Sequence, residues 1–195
     1  MTLIHDKEYW DTRWKKDETG WDIGEASTPL KSYFEQLENK NVKILIPGAG
    51  NAYEAELLHK LGFSNVWVLD IAPEAISSFK IRVPDFPQEH LLCANFFEIQ
   101  DQFELMIEQT FFCALNPAER EKYCKKAKEL ITPGGKLVGL LFNIELFKDQ
   151  PPYGGNEKEY RPLFEKYFTI VFMEKSHNSI GPRANNELFI KMIRE

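Results

Sequence analysis

The sequence predicts a three-layer α/β domain built on a mainly parallel, seven-stranded sheet with an antiparallel edge strand. Three observations point there. From Val42 onward, short apolar runs alternate with helix-period segments, the order that makes a parallel sheet covered by helices. A glycine turn, Gly48-Ala49-Gly50, follows the first apolar run. The last two apolar runs have no helix between them, as in an antiparallel pair.

The elements follow in order. Trp10 and Trp14 lie four residues apart, on one face of a short helix. Residues 17–29 read as a loop, and Leu30, Tyr33, Phe34 and Leu37 form the stripe of a second helix. A strand over 42–46 leads through the glycine turn to a helix over 52–61, closed by Gly62. Val66–Asp70 is a strand and Pro73–Lys80 a helix. Leu91–Ala94 and Phe103–Glu108 are further strands. Asn116-Pro117 opens a helix, with an N-cap followed by proline in the first turn. Its apolar positions are Tyr123, Cys124, Ala127, Leu130 and Ile131, and Pro133-Gly134-Gly135 stops it. Lys136–Phe142 is a buried strand. After the loop "KDQPPYGGN", Asn156 with Glu159 reads as a capping box. That helix points Tyr160, Leu163, Phe164 and Tyr167 inward. Thr169–Met173 and Leu188–Ile193 complete the sheet.

Length and composition bound the function. A chain of 195 residues fits a single domain with a sizeable core. The expected division is an amino-terminal helical segment, 1–41, and an α/β core, 42–195. The net charge of -6 argues against nucleic acid, whose binders carry basic faces. Lys122, Lys125, Lys126 and Lys128 are interleaved with Glu119, Glu121 and Glu129, the pattern of a solvated helix face. The apolar stretches fall far short of the roughly 20 residues of a membrane span, and the start lacks a signal-peptide pattern. Three cysteines and four scattered histidines give neither a disulfide framework nor metal-ligand spacing. The expectation is a reduced, cytoplasmic, metal-free chain, monomeric or weakly dimeric, that acts on a small molecule.

A glycine turn between a strand and a helix usually holds a nucleotide. A phosphate-binding GxxxxGK[ST] loop is absent. The dinucleotide pattern GxGxxG would place its third glycine at 53, where Tyr53 stands instead. The small residue falls one place earlier, at Ala52. GxGx[GA] after the first strand is the commoner pattern for S-adenosylmethionine. Asp70 ends the second strand, where a carboxylate can accept from both ribose hydroxyls. NAD and S-adenosylmethionine share that feature, so Asp70 does not separate them. A plain connecting turn, with Asp70 capping the next helix, is the alternative without a ligand.

Longer stretches carry more. "YWDTRWKKDETGWDIG", "ILIPGAGNAYEAELL", "VWVLDIAPEAI", "ANFFEI", "FELMIEQTFFCALNPAEREKYC", "LITPGGKLVGLLF" and "PPYGGNEKEYRPLF" resemble, in order, the motifs of the thiopurine S-methyltransferase family. The bacterial and plant thiol and halide methyltransferases of that family are most similar. The resemblance implies a Rossmann-like methyltransferase fold. It also implies S-adenosylmethionine as cofactor, S-adenosylhomocysteine as product and no metal. The tryptophans Trp10, Trp14 and Trp21 would fold over the cofactor. Gly48, Ala49 and Gly50 would contact it, Asp70 would take the ribose beside Ile71, and Asn95 and Phe96 would flank the adenine. Gln109 at the fourth strand end is a further cofactor contact, standing where the family often has an aromatic residue. Asn95 stands where the family usually has aspartate, and its side-chain oxygen still accepts. Trp21, Phe111, Tyr153 and Arg183 fall on the acceptor side. Arg120 matches an arginine placed by substrate or cofactor and is the candidate to stabilise a thiolate.

The implied reaction is an in-line displacement on a sulfonium. The donor is already activated, so alignment supplies the rate, and well-oriented reactants can gain about 7–11 kcal/mol. Aromatic faces suit a sulfonium, by about 0.5–2 kcal/mol each. A thiol must react as thiolate, from a pKa near about 8.5, whereas halides and hydrosulfide need little or no deprotonation. The absence of a histidine base near the motifs fits a soft anionic acceptor. The expected function is methyl transfer to a thiol, thiopurine, hydrosulfide or halide. The alternatives are another small acceptor on the same fold, a non-catalytic adenosyl-nucleotide binder, and an NAD-dependent oxidoreductase, which Tyr53 disfavours.

Overall fold

The computed structural model describes residues 5–195. Seven strands form one sheet: β1 (Ile44–Pro47), β2 (Val66–Asp70), β3 (Leu91–Cys93), β4 (Phe103–Gln109), β5 (Ile131–Phe142), β6 (Thr169–Lys175) and β7 (Glu187–Ile193). Their order is β3-β2-β1-β4-β5-β7-β6. The first five are parallel to one another. β7 runs antiparallel to both β5 and β6. The reversed strand is thus one place in from the edge, with β6 outermost. Burial explains the order. β7 sinks Leu188, Ile190 and Met192, while β6 buries Met173 alone among its residues. The more apolar strand takes the inner position.

The helices are α1 (Lys7–Lys15), α2 (Thr28–Phe34), α3 (Tyr53–Lys60), α4 (Pro73–Arg82), α5 (Arg120–Leu130) and α6 (Glu157–Phe164). β1 is buried on both faces, which explains its unbroken apolar run. Ile44 and Ile46 pack with Leu30, Phe34, Leu58 and Phe79 of α2, α3 and α4. Leu45 faces the opposite layer, with Tyr123 and Leu130 of α5 and Phe164 of α6.

Local chemistry sets the ends. Phe63 N donates to Leu58 O at 3.1 Å and Gly62 N to His59 O at 3.0 Å, the Schellman closure of α3. Asn156 Oδ1 accepts from the backbone of Lys158 and Glu159 at the start of α6. Several boundaries differ from the sequence reading, and two have a plain local cause. α2 runs over Thr28–Phe34 rather than 30–37, because Pro29 fits its first turn. Pro133-Gly134-Gly135 lies inside β5, not before it. Phe103 pairs with Ile131 but Leu105 with Lys136, so the extra residues bulge out of β5 while pairing continues.

From β1 the chain winds outward through β2 and β3; from β4 it winds the other way through β5. The carboxyl ends of β1 and β4 therefore flank the switch point, where open α/β sheets place a crevice.

Candidate active site

The turn after β1 is strained. Gly48 and Gly50 have φ of 56° and 55°, a region that costs a side-chain-bearing residue about 1–3 kcal/mol. Gly48 has a second constraint: a Cβ there would lie 2.2 Å from Cδ2 of Phe111. The turns after β1 and β4 are thus interlocked. A Cβ on Gly50 would lie 3.6 Å from Trp14 and 3.8 Å from Trp21. Ala52 enters α3 left-handed as well, with φ 52°. Tyr53 turns away from helix–strand packing. Its hydroxyl donates to Asp22 at 3.3 Å, and Arg82 lies over its ring.

Asp70, at the end of β2, is 8% exposed. Its Oδ2 accepts from Gly50 N and its Oδ1 from Ala72 N, each at 2.9 Å. Burial pushes its carboxyl above the usual carboxylate value, against the pull of these N–H groups and that of Ile71. Asn95 closes its own turn by accepting from Phe97 N at 3.0 Å. Phe96 packs between Phe111 and Tyr123, at ring separations of 5.1 and 5.5 Å.

The turn after β4 stands on Glu108, which is fully buried. Its Oε1 accepts from Phe111 N and Phe112 N, each at 2.8 Å, and its Oε2 from the Tyr123 hydroxyl at 2.7 Å. Burial raises its carboxyl to about 7, against those three donors. Above it, Thr110 adopts φ 62°, and Gln109 Oε1 is buried without a hydrogen-bond partner.

The amino-terminal segment covers these turns. Trp10 and Trp21 rings meet at 5.6 Å and Trp14 and Trp21 at 6.1 Å, both edge-on. Between cover and turns lies one cavity of about 590 Å³. Every candidate residue named from the sequence, except Arg120 and Tyr153, lines it.

Those two lie behind its wall. Arg120 begins α5, and its Nη2 donates to Gly154 O at 2.8 Å and Tyr153 O at 3.4 Å. Its guanidinium packs over Phe112 and Tyr160. It holds the proline-glycine loop. Tyr153 donates its N–H to Cys113 O at 2.7 Å, and its hydroxyl pairs with His5 Nε2 at 2.9 Å. Arg183 does line the cavity, committed to an ion pair with Glu187 at 3.4 Å and a hydrogen bond to Trp21 O at 2.8 Å.

Sequence reasoning missed several participants. Glu108 had a signal, a carboxylate directly after the apolar run "LMI" of the same strand. Asp22, inside "TGWD", accepts from Asn51 Nδ2 at 2.7 Å and ties the cover to the glycine turn. His5 and Thr110 had none, although both line the cavity. The apolar lining of the cavity includes Phe142, Phe147, Pro151, Pro152 and Pro182. Cys113 is also there, its thiol pushed up to about 12 by burial and the charge of Glu108. The charged residues lining the whole cavity are Arg13 and Arg183 against Asp22, Glu25, Glu54, Asp70 and Glu119. Among the described residues, no cluster of three His, Cys, Asp or Glu is placed to hold a metal ion. No described helix is long and apolar enough to cross a membrane.

Comparison with known proteins agrees with this geometry. A probable thiol methyltransferase of Arabidopsis thaliana is 28% identical over 189 residues, 91% of this chain and 81% of that protein. A thiopurine S-methyltransferase of Photobacterium profundum is 21% identical, over 94% of this chain and 93% of that one. Among solved structures, the 1,6-didemethyltoxoflavin-N1-methyltransferase of Burkholderia thailandensis, crystallised with S-adenosylhomocysteine, shares the fold. Its TM-score is 0.77 at 14% identity, covering 96% of this chain and 86% of that one. The thiopurine S-methyltransferase family model matches residues 5–195. The chain belongs to that family and is an S-adenosylmethionine-dependent methyltransferase.

Proposed function

We propose that this enzyme methylates a small, soft sulfur acceptor, bound in the cavity beside Phe142 and Phe147. The observation that carries the reading is one cavity lined both by polar turns and by apolar side chains. The glycine turn and Asp70 line it together with the rings of Phe142 and Phe147 and the prolines Pro151, Pro152 and Pro182.

The polar lining fits the cofactor. Asp70 keeps lone pairs beyond its two backbone bonds and can accept from ribose hydroxyls. Gln109 Oε1 has unmet acceptor capacity, suited to a ligand ammonium or hydroxyl. The close approach at Gly50 admits a ligand to the backbone, and Asn95 and Phe96 offer an acceptor and a ring face. S-adenosylmethionine, when bound, supplies an electrophilic methyl group on a sulfonium. Trp10, Trp14 and Trp21 present ring faces that favour a cation and exclude water. Residues 1–41 act in this reading as a lid on a single domain whose core is 42–195.

Charge favours a thiol over an inorganic anion. Both cavity cations are committed: Arg183 to Glu187 and Trp21, and Arg13 to Tyr9 by a 2.8 Å hydrogen bond. Five carboxylic residues surround them. A halide or thiocyanate enters against that balance; a neutral thiol does not, and its proton passes to solvent as the sulfur takes the methyl group. Arg120 serves as a positioning residue for the proline-glycine loop, and Tyr153 anchors the same loop.

The test is a panel at saturating cofactor: an aromatic thiol, a thiopurine, hydrosulfide, iodide and thiocyanate, each followed by S-adenosylhomocysteine release. Thiols should turn over fastest. Turnover confined to iodide and thiocyanate would overturn the charge argument. Turnover of none, with cofactor still bound, would move the acceptor outside sulfur chemistry.

A further inference from the structure

Arg183 reads from its position as an acceptor contact, but its bonds point elsewhere. The side chain is 9% exposed and that of Glu187 4%. Their ion pair spans 3.4 Å. One guanidinium nitrogen remains for the main-chain carbonyl of Trp21, at 2.8 Å. The same group lies 5.4 Å from the Phe142 ring centroid. Glu187 begins β7, so this is a bond from the sheet to the amino-terminal segment, across 162 residues of sequence. It ends on the residue whose indole Nε1 would lie 3.8 Å from a Cβ built on Gly50. The other bonds that fasten this stretch of the segment reach the glycine-turn side: Asp22 to Asn51, and Ser27 N to Glu54.

We propose that Arg183 is a positioning residue, a latch oriented by Glu187 that seats Trp21 over the glycine turn. This rests on the cofactor reading of that turn. The planar fork of arginine can serve the carboxylate and the carbonyl at once, which a lysine ammonium on a flexible stem cannot do in the same geometry. Closing the latch brings the Trp21 ring to the cofactor and couples the lid to the strand that borders the acceptor site.

The test titrates S-adenosylhomocysteine into the unaltered protein, Arg183→Lys and Glu187→Gln, by calorimetry and by tryptophan fluorescence. Arg183→Lys should weaken binding about tenfold, the scale of one lost charged hydrogen bond. It should also blunt the fluorescence change on binding. Glu187→Gln, which keeps the volume, should act in the same direction and covers the case in which Arg183→Lys does not fold. Steady-state kinetics at saturating cofactor should leave the acceptor KM within about twofold, since the latch predicts no acceptor contact. Unchanged affinity and fluorescence with a raised acceptor KM would make Arg183 an acceptor contact and overturn the latch. Lower thermal stability with unchanged affinity and fluorescence would overturn it too. An unaltered protein that binds no S-adenosylhomocysteine would overturn the cofactor reading beneath it.

Discussion

The floor and the roof of the cavity are held by opposite means. The floor is the set of turns after β1, β2 and β4. Its strands are buried, and its turns are tied by Asp70 to Gly50 N and by Glu108 to Phe111 N and Phe112 N. The roof is α1 and the loop after it. α1 has no buried residue. It meets the core by few polar bonds, such as Glu74 N to Asp11 at 3.2 Å. Regions with few buried contacts open at low free-energy cost. The expectation is a floor shaped before ligand arrives and a roof that opens to admit and release it. Changes to the floor should damage fold and affinity together. Changes to the roof should alter affinity with little effect on folding.

The largest expected effect is Gly48→Ala. It combines left-handed strain with a clash against the Phe111 ring and should cost about 3 kcal/mol of stability. Thermal denaturation and S-adenosylhomocysteine titration should both register it; a stable, binding-competent variant would break the interlock between the two turns. Glu108→Ala is of comparable size. It leaves two backbone N–H groups and a tyrosine hydroxyl without their acceptor, at roughly 1 kcal/mol for each group left unsatisfied. Glu108→Gln isolates the charge. The folded value of about 7 lies above the roughly 4.3 of an unfolded glutamate. The folded state then binds more protons between those values, so this residue's stabilising effect is full below about pH 4 and is lost as pH rises through about 7. Denaturant melts from pH 5 to 8 should show a shallower decline in Glu108→Gln. An unchanged slope would mean that Glu108 does not titrate there.

Asp70→Ala probes the floor at the cofactor. About tenfold or greater loss of S-adenosylhomocysteine affinity is expected by calorimetry. Equal affinity would remove Asp70 from the ligand. The smallest effect belongs to the roof. Trp14→Leu should weaken binding by severalfold, within the roughly 0.5–2 kcal/mol of a ring over a cation, and shift the melting temperature little. A large loss of stability would show that the roof is part of the core after all.

The floor was mostly legible in the sequence because its parts are local. An apolar strand, a glycine turn, a small residue at 52 and an acid at the end of the next strand sit at fixed spacings. The spacing of Trp10 and Trp14 showed only a helix face; that they and Trp21 form a roof came from the family resemblance. What stayed hidden depends on contacts between distant residues. The commitment of Arg120 to the carbonyls of Tyr153 and Gly154 appears only when α5 meets the proline-glycine loop. The left-handed Thr110 is imposed by the turn that Glu108 fastens. The inner place of β7 follows from relative burial of two late strands, which neither pattern states alone. Pro133-Gly134-Gly135 looked like a stop between helix and strand; the ladder with β4 absorbs it as a bulge.

The central claim is that the cavity between floor and roof holds an adenosyl sulfur cofactor through Asp70. The most direct measurement is calorimetric titration of S-adenosylhomocysteine, with NAD in parallel, into the unaltered protein and Asp70→Ala. Micromolar binding of S-adenosylhomocysteine, none of NAD, and marked weakening in Asp70→Ala are expected. Binding of NAD, or S-adenosylhomocysteine affinity unaffected by the loss of Asp70, would contradict it.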